Sequence, residues 1–366
     1  MPGLRRPSPA SDTRNPMSAR SPIRRRLSLL AAATLLLAGA LVWFWRVPMV
    51  GAPTIPASAC QRLPLVDAST GKPIVGAEDL AYDPARRRVL VSAYDRLAAE
   101  RGDPPGGGLY ALPEATLGSA TRLPPILLAK GAAPHGIDIA DGKLAVVERR
   151  HADDTAPRVS IGIYDLQANR LAAVVRDTRL CRANDLVLLP GPALEVTLDR
   201  GPCTQGKPSG DGRVAEIVWP DGPGARVDIL EDDLRFPNGI AAVGSDIVVA
   251  DTRAQALRML GSTAKRVLPG GPDNITRDSA GRLVVALHPS LLRFGLHRYG
   301  WPLGDHAPSR ILRTDFRTGA SELLFDDPDG TTWSGATVGL VIGSALLLGS
   351  VREQGLLVCP MPGGAA

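Results

Sequence analysis

The chain has 366 residues, of which 44% are hydrophobic and 22% charged, and this composition excludes intrinsic disorder and a polytopic membrane protein. The formal net charge of +5 is concentrated at the amino end, where residues 1–26 hold seven arginines against one acid. The rest of the chain is slightly acidic. The basic isoelectric point therefore gives no reason to expect nucleic-acid binding.

The amino end has the features of a targeting segment. Residues 27–45 carry no charge and lie between Arg24-Arg25-Arg26 and Arg46. A helix of this length spans roughly 28 Å, which matches the hydrocarbon thickness of a bilayer. We therefore predict a basic cytoplasmic tail (residues 1–26), a single-pass transmembrane signal anchor and an exported domain. A cleaved signal peptide, which would leave the domain secreted, is the alternative.

A short segment rich in proline and alanine, residues 46–59, follows and is expected to be a linker before a globular domain at residues 60–366. The chain contains four cysteines: Cys60, Cys181, Cys203 and Cys359. No pair has the close spacing of a zinc site, and an exported chain can form two disulfides from them. Three connectivities are open. One of them, Cys60–Cys359, would tie together the two ends of the domain.

A repeat runs through this domain. Six runs rich in valine and leucine each follow a tight turn: residues 87–95, 142–147, 193–199, 245–251, 281–287 and 344–351. Before each turn lies a second apolar stretch that begins with polar or small residues. A unit of about 40–50 residues is what a four-stranded propeller blade needs. We predict an all-β, six-bladed β-propeller whose last strand, residues 355–359, closes the ring against the first blade.

The polar residues that begin the first strands are expected to converge, because the innermost strand of each blade starts at the central channel. Five of them are hard oxygen donors: Glu78, Asn184, Asn238, Asp273 and Asn274. Five unpaired polar groups buried together would be costly, so a ligand is expected to satisfy them. Two carboxylates with amide oxygens match calcium, whereas zinc or copper would call for His or Cys.

These clusters resemble those of the paraoxonase family of calcium-dependent six-bladed propellers, which are arylesterases and lactonases, over about residues 60–360. The segments that carry the resemblance are Cys60, Gly76-Ala77-Glu78-Asp79, Pro134-His135-Gly136-Ile137, Asn184-Asp185, Pro237-Asn238-Gly239, Asp273-Asn274-Ile275, Leu287-His288-Pro289, Gly349-Ser350-Val351 and Cys359. The resemblance implies two calcium ions. The five oxygen donors would hold a catalytic ion, and Asp79, Asp185 and the backbone carbonyl of Ile137 would hold a structural one.

His135 is the predicted general base, because a neutral imidazole can take a proton from water and its repeat position places it beside the calcium ligands. The family has a second histidine after the next strand. His151 fills that position if one or two residues have been inserted, and Arg149 aligns there otherwise. Asp199 matches an acid of the family, but Arg200 stands where a histidine is often found.

An apolar insertion at residues 289–308 is expected to wall the substrate pocket or touch a membrane, or else to pack as a helix on a blade edge. The leading functional prediction is a membrane-anchored, exported, calcium-dependent hydrolase of small-molecule lactones or aryl esters. The alternatives are a sugar-lactone hydrolase of the gluconolactonase type and a non-catalytic, calcium-stabilised binding propeller. The sequence indicates no nucleic-acid partner and does not define an oligomeric state.

Overall fold

The computed structural model describes residues 27, 31–36, 39, 42, 45–103, 106–126, 132–150, 159–204, 207–208, 211–219 and 224–362. The chain divides into two compact units, Met1–Trp45 and Arg46–Ala366. In the first unit, residues 31–36 are helical and exposed. No helix within the described part of the chain has both the length and the apolar character needed to cross a membrane. The signal anchor predicted over residues 27–45 falls largely outside the described residues and stays a prediction.

The second unit contains six four-stranded antiparallel sheets, as the repeat predicted. Strands β1 (Gln61–Leu63) and β2 (Leu65–Asp67) come first in the chain. Blade 1 contains β3 (Ala77–Asp83), β4 (Arg88–Tyr94), β5 (Gly107–Pro113) and, after the short β6 (Thr121–Leu123), β7 (Pro125–Ile126). Blade 2 contains β8 (Ala132–Ala140), β9 (Lys143–Arg150), β10 (Val159–Asp165) and β11 (Arg170–Val175). Blade 3 contains β12 (Ala183–Leu189), β13 (Ala193–Leu198) and, after the small hairpin of β14 (Cys203–Thr204) and β15 (Lys207–Pro208), β16 (Gly212–Val218) and β17 (Arg226–Leu234).

The second half of the ring repeats this pattern. Blade 4 contains β18 (Pro237–Val243), β19 (Asp246–Asp251), β20 (Ala256–Met259) and β21 (Lys265–Val267). Blade 5 contains β22 (Gly271–Arg277), β23 (Leu283–His288), β24 (Ser309–Thr314) and β25 (Ser321–Asp327). Blade 6 contains β26 (Ala336–Ile342), β27 (Ala345–Ser350), β28 (Leu356–Pro360) and β1. Two α-helices, α1 (Arg96–Glu100) and α2 (Leu291–Tyr299), lie after the second strands of blades 1 and 5.

The ring closes inside blade 6. Strand β28 pairs with β27 on one side and with β1 on the other, with Gln61 opposite Val358. The prediction that the last strand closes the ring against the first blade was therefore wrong: the amino-terminal strand supplies the outer strand of the last blade, because the edge of β28 is otherwise unpaired. A disulfide joins Cys60 and Cys359 at this junction, with Cα atoms 4.2 Å apart, which is one of the pairings that the sequence left open. Cys181 is also disulfide-bonded.

Residues 46–59 belong to the same compact unit as the blades and do not form a free linker over their whole length. The backbone N–H groups of Thr54 and Ile55 donate to the carbonyl oxygens of Leu323 and Leu324 at 2.8 and 2.9 Å. Ile55 is buried, with 1% of its surface exposed, in a cluster that includes Trp333. Burial of this large apolar side chain and the two backbone hydrogen bonds together attach the segment to blade 5.

Two glycines allow neighbouring inner strands to approach closely. A Cβ atom on Gly136 of β8 would lie 2.4 Å from Cα of Asp185 in β12, and one on Gly239 of β18 would lie 2.5 Å from the carbonyl oxygen of Asp273 in β22. Any side chain at these positions would collide with backbone. The glycines therefore bring the polar starts of the inner strands together around the axis.

Candidate active site

The polar clusters open into a cavity of about 260 Å³ at the end of the channel where the inner strands begin. Four of the five predicted oxygen donors line it: Glu78, Asn184, Asn238 and Asp273. The fifth, Asn274, is buried beside them, and its Nδ2 donates to the backbone carbonyl of Glu78 at 2.9 Å. The structure therefore brings together residues from blades 1, 3, 4 and 5, as the repeat positions predicted.

Glu78 and His135 are in direct contact in this cavity. Nδ1 of His135 lies 2.5 Å from Oε2 of Glu78, and Nη2 of Arg96 lies 2.7 Å from the same oxygen. Nη2 of Arg96 also comes within 2.8 Å of Nδ1. Because an ionised carboxylate only accepts, the contact with Glu78 requires a proton on Nδ1 of His135, and in this tautomer Arg96 donates to the carboxylate rather than to Nδ1. This arrangement leaves Nε2 of His135 as the nitrogen with a free lone pair.

Burial and neighbouring charges shift the pKa values of both residues. Burial and the positive charge of Arg149 lower the pKa of His135 to about 3, although Glu78 opposes the shift. Burial would raise the pKa of Glu78, but Arg96 and His135 outweigh it and lower that pKa to about 2. A neutral imidazole beside an ionised carboxylate is therefore the state of the pair at physiological pH.

A second histidine lies on the opposite wall of the cavity. Nε2 of His288, at the end of β23, lies 2.7 Å from Oδ2 of Asp273, and the imidazole stacks on Phe294 of α2 with ring centroids 3.4 Å apart. Burial raises the pKa of Asp273, while His288 opposes the shift. Nδ2 of Asn238 donates to the other oxygen of the same carboxylate. Among the described residues, nothing donates to the buried Oδ1 of Asn238.

The donor set fits a hard cation. Its members are carboxylate and amide oxygens, the ligands that calcium takes, and the orphaned Oδ1 of Asn238 would gain a partner if a cation were bound. The His, Cys, Asp and Glu side chains of the described residues do not by themselves form a group of three that could hold a metal. Amide oxygens would therefore have to complete the coordination. A cation would also compete with Arg96 for the carboxylate of Glu78.

The residues predicted to hold a structural ion bind backbone amides of neighbouring blades. Oδ2 of Asp79 accepts from the N–H of Ile137 at 2.7 Å, and Oδ2 of Asp185 accepts from the N–H of Ile240 at 3.1 Å. Asp138 repeats the pattern with the N–H of Leu188 at 2.8 Å. These acids line a cavity of about 480 Å³ further along the inner strands.

The same acids are close enough to repel one another. Burial raises the pKa values of Asp79 and Asp185 well above the usual range, and their mutual proximity contributes to the shift of Asp185. A carboxylate has about four lone-pair sites, so the backbone bonds leave room for a further partner. Protonation of one acid, or a bound cation, would relieve this repulsion.

The structure describes Arg149, but not His151, of the two residues considered for the second-histidine position. His151 lies outside the described residues, so its predicted role stays a prediction. Arg149 lines the cavity, and its Nη2 donates to the carbonyl oxygen of Ala183 at 2.9 Å. Asp199 also lines the cavity and accepts two bonds of 2.7 Å from Arg182.

Sequence reasoning missed several residues of the site. Arg96, Arg182 and Arg298 line the cavity and were not predicted to do so, and helix α2 supplies Phe294 as part of the wall. The insertion at residues 289–308 therefore forms a wall of the pocket, which was one of its expected roles. Ser290 caps α2 by accepting from the N–H of Arg293, and Gly300, with φ of 63°, ends it.

The similarity of this chain to known proteins is distant. No family model matches this sequence, and no curated protein does. A structure described as a putative gluconolactonase is 15% identical, with a TM-score of 0.49, and the match covers 87% of this chain and 95% of that one. A luciferin-regenerating enzyme is 15% identical with a TM-score of 0.46, covering 82% and 96%. A periplasmic gluconolactonase of Pseudomonas aeruginosa is 16% identical with a TM-score of 0.40, covering 74% and 72%. Likeness of this degree carries no property of those proteins over to this chain.

Proposed function

We propose that this protein is a calcium-dependent hydrolase of lactones or aryl esters, as the resemblance to the paraoxonase family implies. The observation that carries the proposal is the contact of 2.5 Å between Nδ1 of His135 and the carboxylate of Glu78 inside a cavity lined by oxygen donors. A neutral imidazole held at one nitrogen by a carboxylate is the arrangement of a general base.

Hydrolysis would then proceed with His135 as the base. Nε2 accepts a proton from water as the water oxygen forms a bond to the carbonyl carbon, and the imidazolium is stabilised by Glu78. The acyl C–O bond breaks, and His135 returns the proton to the leaving oxygen. Arg149 supplies positive charge to the same cavity, and this charge stabilises the negative charge that develops on the carbonyl oxygen.

The five oxygen donors would hold the catalytic calcium ion, and Asp79, Asp185 and the carbonyl of Ile137 the structural one. Polarisation of the substrate carbonyl is the chemistry that a bound cation supplies. We propose further that the propeller is exported and anchored by residues 27–45. The disulfide between Cys60 and Cys359 supports an oxidising compartment.

The test is hydrolysis by the full-length protein before and after chelation, with calcium added back. The substrates are aliphatic lactones, glucono-δ-lactone and phenyl acetate. We expect chelation to abolish hydrolysis, calcium to restore it, and His135→Gln to lower kcat by about 10²–10⁴-fold. His306→Gln is the matched control, because His306 is exposed and does not line the cavity.

Each outcome separates the candidate functions. Selective hydrolysis of glucono-δ-lactone would favour a sugar-lactone hydrolase over an arylesterase. Calcium binding without hydrolysis of any substrate would refute the enzyme and favour a binding propeller. Activity that survives His135→Gln would refute the assignment of the base.

A further inference from the structure

Arginines recur at one position of the propeller repeat. In four blades an arginine lies two residues after the end of the second strand: Arg96, Arg200, Arg253 and Arg352. The second strands run back toward the end of the channel where the inner strands begin, so this position is at the mouth of the cavity. The first three of these side chains line the cavity.

The cavity contains more cationic groups than its own acids can pair with. Arg149, Arg182 and Arg298 also line it, which makes six arginines. The lining carboxylates are those of Glu78, Asp199 and Asp273, and each is already paired, with Arg96, Arg182 and His288 respectively, at 2.7 Å.

The other four arginines have a distant carboxylate partner, or none, among the described residues. Within the described part of the chain, no carboxylate forms an ion pair with Arg149, Arg200 or Arg253, and the carboxylate of Glu100 lies 3.8 Å from Nη2 of Arg298. Nε of Arg200 is buried and has no hydrogen-bond partner among the described residues. A buried donor of this kind costs free energy unless a ligand satisfies it.

A second cavity, of about 550 Å³, adjoins the cavity that contains His135. It is distinct from the cavity of about 480 Å³ that Asp79 and Asp185 line. Five of the six arginines line both cavities: Arg96, Arg149, Arg182, Arg200 and Arg298. Among the described residues that line the second cavity, only Glu100 has a carboxylate. The positive charge therefore extends from the cavity that contains His135 into this second cavity.

We propose that the second cavity binds an anionic group of the substrate, a carboxylate or a phosphate, while the ester or lactone group lies beside His135. Guanidinium groups bind both anions through paired N–H bonds, and several of them converging on one space select for negative charge. The lined cavity also attracts anionic substrates from solution. This inference rests on the proposed hydrolase activity for the identity of the ligand as a substrate, but the anion site itself does not.

The experiment compares the full-length protein with Arg200→Gln, Arg298→Gln and the double variant. The substrates are 4-nitrophenyl hydrogen adipate and its methyl ester, which differ by one negative charge. We expect the wild-type protein to prefer the acid in kcat/KM. We expect each substitution to lower the acid-to-methyl-ester ratio by about tenfold, which is the contribution of a hydrogen bond to a charged group.

Arg253→Gln is a further variant, since that exposed side chain can be replaced without disturbing the interior. Arg170→Gln is the matched control, because Arg170 is exposed on an outer strand and outside both cavities, and it should leave the ratio unchanged. Thermal unfolding of each variant shows whether it is folded.

Calorimetric titration with inorganic phosphate and with adipate separates this inference from the proposed function. Saturable binding of either anion that weakens about tenfold or more in the double variant supports the anion site, even if the protein hydrolyses neither ester. In that case the proposed hydrolase fails and the anion site stands. Equal kcat/KM for the acid and the methyl ester, or no saturable anion binding, would overturn the inference.

Discussion

Oε2 of Glu78 lies 2.5 Å from Nδ1 of His135, and the two residues lie on the inner strands of adjacent blades. If Glu78 positions His135 as well as binding calcium, Glu78→Gln removes the acceptor that holds the tautomer. We expect kcat to fall by about 10²–10³-fold even at calcium concentrations that saturate the variant.

The measurement is steady-state hydrolysis with calcium binding followed in parallel by calorimetry. Full recovery of kcat at saturating calcium would show that Glu78 acts as a ligand alone. Asn274→Leu is the comparison, because Asn274 bonds to the backbone of Glu78 and has no contact with the imidazole of His135.

Arg96 and a bound cation are expected to compete for Glu78. Arg96 is 3% exposed, and its removal leaves the buried carboxylate of Glu78 without its cationic partner, which costs about 3–5 kcal/mol of the free energy of unfolding. We expect Arg96→Gln to be destabilised by this amount in chelator and much less in saturating calcium. Urea unfolding under both conditions measures the difference.

The control for this experiment is Arg310→Gln. Arg310 is equally buried and is paired with Asp326 at 2.8 Å outside the cavity, so its loss should cost the same with and without calcium. Equal costs for Arg96→Gln under the two conditions would show that calcium does not bind Glu78.

Glu195 gives a pH-dependent contribution to stability. Burial, with a smaller contribution from Glu216 on the neighbouring strand, raises its pKa from 4.5 to about 7, and its Oε2 is buried without a partner among the described residues. Because the pKa of Glu195 is raised in the folded state, its contribution to the free energy of unfolding is fully present below pH 4.5 and is lost as the pH rises through 7.

Glu195→Gln should therefore match the wild-type protein at pH 4.5 and exceed its free energy of unfolding at pH 8 by up to about 2 kcal/mol after screening by solvent. Urea unfolding across this pH range measures the effect. Glu216→Gln should recover a smaller part. A stability difference that does not change with pH would contradict the assigned pKa.

Gly136 tests the close approach of inner strands. A Cβ atom there would lie 2.4 Å from backbone of blade 3, so Gly136→Ala should cost about 3 kcal/mol or prevent folding. Gly118→Ala is the matched control, since a Cβ atom at Gly118 meets no atom within 4 Å. Thermal unfolding compares the two. Equal melting temperatures would show that the inner strands of blades 2 and 3 can move apart at little cost in free energy.

Much of the fold and part of the site were predictable from sequence. The six pairs of strands follow from alternating apolar runs and turns, which are local, and Glu78, Asn184 and Asn238 mark the start of inner strands wherever those strands lie. Arg96, Arg200 and Arg253 share a repeat position that the sequence also contains, but its meaning depends on where the second strands end. That boundary is set by pairing between strands.

The sequence by itself determined the number of blades and which oxygen donors meet at the axis, because both follow from a repeat in the amino-acid sequence. Only the tertiary structure decided that β1 completes blade 6, that Ile55 attaches its segment to blade 5, and that Arg96 bonds to Glu78. These contacts join residues that are distant in the chain. They depend on burial and charge pairing between separate segments, so a local sequence pattern does not predict them.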